Sequence, residues 1–110
     1  MMLGINVIYS MKPGQRRAFL EAIGACGAQA AVRREEGCLQ YDYFLPADRE
    51  DEVLLMEKWT SREAQQVHLT QPHMAQIREI KERFVDDTKV QMYDLKLSKN
   101  APVQGIRRER

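Results

Sequence analysis

An α+β fold, running β-α-β-β-α-β with its helices on one face of an antiparallel sheet, is predicted by three features of the 110-residue sequence. Four short stretches alternate their side chains with the period of a strand. Two longer stretches repeat apolar residues at helical spacing, and Pro or Gly breaks separate the pieces. The length suits one domain with one core.

Residues 3–10, LGINVIYS, set Leu3, Ile5, Val7 and Tyr9 on one face against Gly4, Asn6, Ile8 and Ser10 on the other, which makes a first strand. MKPGQ breaks the chain, after which Phe19, Ile23, Cys26 and Ala30 recur at helical spacing and predict a helix from about Gly14 to Arg34. Its interior glycines, Gly24 and Gly27, would let a sheet approach closely, at some cost in helix propensity. Gly37 suits a left-handed cap after this helix. CLQYDYFL then alternates Leu39, Tyr41, Tyr43 and Leu45 with Cys38, Gln40, Asp42 and Phe44, and VLLMEKW closes a hairpin with it. Thr60 or Ser61 caps a short helix that must end before Pro72, since Pro lacks the backbone donor and disfavours helical geometry at Gln71. A further helix is expected to start at Pro72 and end near Asp86, with Met74, Ile77, Ile80 and Phe84 on its apolar face. TKVQMYDLKL is the fourth strand, so the domain spans 1–97 and residues 98–110 form a polar tail.

This order is the ferredoxin-like split βαβ arrangement. Helices would cover one sheet face, yet the first three strands carry apolar residues on both, so the second face needs covering too. A homodimer packing two sheets back to back is the simplest answer.

Composition narrows the class of function. Hydrophobic residues make up 44% and charged residues 30%, and 17 basic residues against 16 acidic leave a formal charge of +1. No basic stripe with interleaved aromatics is present, so nucleic acid is not an expected partner. The longest apolar runs, such as Val53 to Met56, fall far short of the roughly 20 residues that cross a bilayer, so no membrane partner is expected. The N-terminus has no secretory pattern, and Cys26 and Cys38 form neither a CxxC pair nor a disulfide framework; both read as reduced packing residues in a cytoplasmic protein.

The stretches VIYSMKPGQRRAFLEAI, EEGCLQYDYF, LLMEKWTSREAQQVH and HLTQPHM, in this order and at these separations, resemble the antibiotic biosynthesis monooxygenase superfamily over residues 3 to about 97. Within it, HLTQPHM is most similar to the small quinol monooxygenases. The resemblance implies a dimeric α/β barrel, a pocket between sheet and helices, and oxidation of an electron-rich aromatic, such as a quinol, by molecular oxygen without metal or flavin. That chemistry has a physical requirement of its own. A deprotonated quinol can pass an electron directly to oxygen, so the protein must supply a base, hydrogen-bond donors and a dry slot.

His68 and His73 are the only histidines. An imidazole, with an ordinary pKa near 6.5, can take a phenolic proton at neutral pH, and His68 is the first choice of base. The alternative is a helix-end histidine bonded to a carbonyl. His73, beyond Pro72, either lines the pocket mouth or has a surface or capping role. A metal clamp is not expected, because the pair is five apart across a proline and no third ligand is marked by spacing. Asn6 in the first strand is either tied into the structure or offers hydrogen bonds to a ligand. Trp59 reads as core and pocket wall, with Leu55 and Met74 beside it as substrate contacts, and Tyr41 either offers its hydroxyl to the pocket or belongs to the core or a dimer interface.

Arg78, at what looks like the position of an Arg in the polyketide-oxidising relatives, is a candidate to stabilise an oxyanion. Those relatives also carry an Asn and a Tyr where this chain has Leu55 and Gln65, which puts their particular reaction in doubt. The haem-degrading members have a strand-one Asn matched by Asn6, but their Trp and haem-ligating His fall at His68 and Arg78. Two other readings stand beside the monooxygenase: an isomerase or degrading enzyme for a small carbonyl signal, and a non-catalytic dimeric stress or binding domain.

Overall fold

The computed structural model describes residues 1–98. The expected polar tail therefore lies, from residue 99 on, outside the described residues. The elements are β1 (Met2–Met11), α1 (Arg16–Cys26), α2 (Ala28–Arg33), β2 (Cys38–Phe44), β3 (Glu52–Trp59), α3 (Arg62–Leu69), α4 (Met74–Phe84) and β4 (Val85–Leu95). The strands form one antiparallel sheet in the order β2-β3-β1-β4, the expected ferredoxin-like topology. Among the described residues no helix is long and apolar enough to cross a membrane.

The period of two in β1 decides where the core lies. Leu3, Ile5, Val7, Tyr9 and Met11 are all buried, and the cross-strand partners of Leu3, Val7 and Tyr9 are Trp59, Leu55 and Val53 of β3. The helices cover this face with Phe19, Ile23, Val32, Ile77 and Ile80, and the side chains merge into one apolar cluster. On the other face Asn6, Ile8, Leu54 and Met56 are only half-buried, while Phe44 and Tyr93 are exposed.

Four local expectations are revised. The helix foreseen over 14–34 breaks at Gly27, whose φ of 72° ends α1 in a left-handed cap. The break re-aims the apolar face, so Ala28 and Val32 are buried in place of Cys26 and Ala30. Gly24 is not a close-approach glycine, since a Cβ there would meet nothing within 4 Å. In β2 the register slips between Cys38 and Gln40, where two steps on this strand oppose one on β3. Leu39 takes up the extra position and is exposed, and Cys38 comes to face Trp59.

The second helical segment follows the expected break at Pro72 more closely. Ser61 caps α3 by accepting from the Ala64 N–H at 3.1 Å. α4 starts at Met74 rather than Pro72, with His73 at its cap position, and ends at Phe84 rather than Asp86. The chain passes from Phe84 straight into β4, so this strand begins three residues earlier than the sequence pattern suggests. β4 is exposed along most of its length because the helices do not reach over it. That gap opens one side of the space beneath α3 and α4.

Candidate active site

The last turn of α3 carries His68 into the core, where it is 1% exposed. Its ring lies against Trp59, with centroids 4.6 Å apart, and meets Tyr41 edge-on at 5.8 Å. An imidazole so enclosed must find polar partners within the protein. His68 Nδ1 is 2.9 Å from Glu35 Oε2, and the same oxygen is 2.7 Å from His73 Nε2. On the far edge of the ring, Nε2 lies 4.0 Å from Glu57 Oε1, which accepts the Trp59 Nε1–H at 3.0 Å.

Beside this array is a cavity of about 170 Å³ between the sheet and helices α3 and α4. Ile5, Val7, Met74 and Ile77 give it apolar walls, and Glu57, Gln65, His68 and Lys81 face it as polar groups. Thr88, Val90 and Met92 of β4 bound its open side. Such a lining, apolar with a few convergent polar groups, is what a small organic ligand requires.

Burial raises the Glu57 carboxyl above its ordinary value, partly offset by the Trp59 N–H and the charges of His68 and Lys81. Burial lowers the Lys81 ammonium, with Glu57 opposing that shift. The phenols are held protonated for the same reason: burial pushes Tyr43 up to about 12 and Tyr9 and Tyr41 higher still. Base chemistry at this cavity therefore falls to His68 and Glu57 rather than to a tyrosinate.

The structure brings together part of the residue set expected from sequence. His68, Tyr41 and Met74 line the cavity. Trp59 backs the His68 ring, and Leu55 is core packing, 1% exposed, outside the cavity wall. His73 is turned toward Glu35 and away from the cavity. Asn6 does not meet His68. It lies between Ile5 and Val7 in β1 and so projects from the opposite sheet face, beside Met56 and Gln91. Arg78 does not meet it either: it is exposed and borders a neighbouring surface groove with Glu82 and Asp86, which shares Lys81 and Thr88 with the cavity. One turn further along α4, Lys81 takes the inward position instead.

Glu35, Glu57, Gln65 and Lys81 had no role in the sequence reading. Glu57 carried a signal, because the alternation Val53, Leu55, Glu57, Trp59 places a carboxylate on the buried face of β3. Lys81 is four residues beyond Ile77 on the apolar side of α4. Glu35 carried none, since its partners are more than thirty residues away.

Glu35, His68 and His73 also place a possible metal-ligand set within 4.8 Å, which the five-residue histidine spacing alone did not reveal. The donor set of two imidazoles and a carboxylate suits zinc. Tetrahedral bonds of about 2.05 Å would hold ligand atoms roughly 3.3 Å apart. Here two of the contacts are 2.9 and 2.7 Å, the distances of charge-assisted hydrogen bonds, so an ion would have to open the cluster.

A sequence model described as antibiotic biosynthesis monooxygenase matches residues 2–80. No curated protein matches the chain. Among solved structures it is similar to a protein of Bacteroides thetaiotaomicron described as a possible oxidoreductase, at 26% identity over 86% of this chain and 97% of that one, with a TM-score of 0.75. It is similar to Rv0793 from Mycobacterium tuberculosis at 24% identity over 92% and 100% of the two chains, TM-score 0.74. A protein described as an antibiotic biosynthesis monooxygenase matches at 22% identity over 86% and 99%, TM-score 0.73. The last two likenesses speak to the fold alone.

Proposed function

We propose, for a chain that belongs to the antibiotic biosynthesis monooxygenase family, that it oxidises a small quinol or related electron-rich phenol with molecular oxygen, using His68 as the base. The observation that carries this reading is the buried imidazole at the wall of a cavity whose size suits one aromatic ring. An apolar cavity of about 150 Å³ can hold benzene. Tyr41 supplies an aromatic edge, and Glu57, Gln65 and Lys81 supply polar anchors for the ring oxygens.

In this reading His68 Nε2 removes a phenolic proton, and Lys81 stabilises the resulting phenolate. The electron-rich anion then reduces oxygen, one oxygen atom entering the ring and the other leaving as water. Hydroquinone plus dioxygen gives hydroxyquinone plus water, which balances without an added reductant. The protein's part is the base, the cation and apolar walls around the ring.

Oxygen uptake with a panel of small quinols tests it. The wild type should exceed autoxidation, and His68→Ala should lower that excess by about 10²-fold or more. Wild-type uptake no faster than autoxidation, or an undiminished rate in His68→Ala, would rule the reading out.

A second reading is supported by the closeness of His68 and Glu57, 4.0 Å apart. Such a pair can move protons on a small carbonyl compound without oxygen, as an isomerase does. Turnover under strict anaerobiosis separates it from the first. The half-buried apolar residues of the open sheet face, Ile8, Leu54 and Met56, support a homodimer that covers them. The free thiols Cys26 and Cys38 suit a cytoplasmic site of action.

A further inference from the structure

We propose that Glu35 is a positioning residue for His68: one carboxylate oxygen fixes which ring nitrogen carries the proton and leaves Nε2 as the acceptor facing Glu57 and the cavity. The inference rests on the reading of His68 as the base, and it assigns a task to a residue on no element that touches the cavity.

The backbone delivers Glu35 to this point. Its N–H donates to the Val32 carbonyl at 2.9 Å, and its carbonyl accepts from the Cys38 N–H at 3.2 Å. Two residues on, Gly37 has a φ of 85°, and a Cβ there would sit 2.6 Å from Ala64 Cβ on α3. The turn after α2 is thereby packed directly against the helix that carries His68.

The chemistry follows from what a carboxylate can do. It only accepts, so both nitrogens that reach Oε2 must donate: His68 through Nδ1 and His73 through Nε2. A neutral imidazole carries one proton, so with Nδ1 protonated the lone pair is at Nε2. Side-chain exposure rises from 2% at His68 to 10% at Glu35 and 21% at His73, so the carboxylate is held in a largely dry setting by a donor on each side. When Nε2 takes the substrate proton, the adjacent carboxylate stabilises the imidazolium without itself being protonated. His73 keeps that oxygen in place. Without an acceptor at Nδ1, the remaining partner is Glu57 Oε1 across from Nε2, and donation to it would occupy the basic lone pair.

The test reads the tautomer directly. With only two histidines in the chain, a long-range ¹H–¹⁵N spectrum of the imidazoles is simple to assign, using His73→Ala to identify His68. In the wild type at neutral pH, His68 should carry its proton on Nδ1. In Glu35→Gln the amide oxygen can accept from the His73 Nε2–H while its NH2 donates to Nδ1, so the proton should move to Nε2. The rate constant kcat for quinol-dependent oxygen uptake should then fall by about 10²–10⁴-fold, as when a neutral amide replaces the carboxylate of a hydrolytic triad, with KM within about threefold. Glu35→Asp, which keeps the charge, should restore the Nδ1 proton and part of kcat, and amide spectra establish that each variant is folded.

A wild-type His68 protonated at Nε2, or the same tautomer in wild type and Glu35→Gln, would overturn the proposal. The two ideas fail separately. A tautomer that inverts in a protein with no oxygen uptake upholds the role of Glu35 in setting the ring and removes the oxygenase reading.

Discussion

The two faces of the sheet use the same strands, one residue out of step, and they differ in what they do with polar groups. On the helix-covered face Glu57 is 8% and His68 1% exposed, each tied to named partners. On the open face Asn6 is half-buried among Ile8, Leu54 and Met56. A polar group in the first setting loses its hydration and destabilises the fold unless it is bonded. In the second it keeps access to water within the single subunit. A buried carboxylate and imidazole beside a cavity therefore mark the helix-covered face, and not Asn6, as the candidate site.

Neighbouring substitutions in β1 give the largest contrast between the faces. Val7→Asp puts an unpaired carboxylate into the core and should destabilise the protein by about 4 kcal/mol or more, read by urea denaturation. Ile8→Asp, one residue along, should cost about 1 kcal/mol in the folded subunit. Its main effect should fall on assembly: light scattering should report a dimer for the wild type and a monomer for this variant. Equal losses of stability at the two positions would mean that the open face is as closed as the other.

Glu57→Gln sharpens the same comparison through pH. Burial raises the folded-state pKa of Glu57, so the fold favours its protonated form. Its contribution to stability is full below the ordinary glutamate range near 4.3 and is lost as pH rises through the raised value. Gln keeps an acceptor for Trp59 Nε1–H without that dependence. Thermal melts from pH 4 upward should show the variant gaining on the wild type as pH increases; a constant gap would mean that Glu57 titrates normally in the fold.

What the sequence made legible follows from how local each signal is. The strand alternation, the Ser61 cap and the Pro72 break act within a few residues, and they fixed the order of elements. Gly27 stands out in the sequence only as a small residue inside a helical pattern, because a left-handed φ is a property of the folded backbone. The bulge at Leu39 depends on β3 and left no mark in the alternation of β2. The site divides in the same way. His68 stood out by residue type and surroundings, and Glu57 was readable from its place in the alternation. Glu35 could not be found, because its partners come from distant α3 and the cap of α4. Arg78 and Asn6 are the converse case: their residue types suit the chemistry, but helical and strand periodicity place them away from His68.

Deprotonation by His68 Nε2 of a phenol held in the cavity can be measured without the oxygen step, by ultraviolet difference spectroscopy under anaerobic conditions. A small quinol or phenol bound at neutral pH should show the phenolate band with the wild type and with Asn6→Ala, and should lose it with His68→Ala. A bound phenol that stays protonated on the wild type, or a phenolate band of equal strength with His68→Ala, would contradict the account.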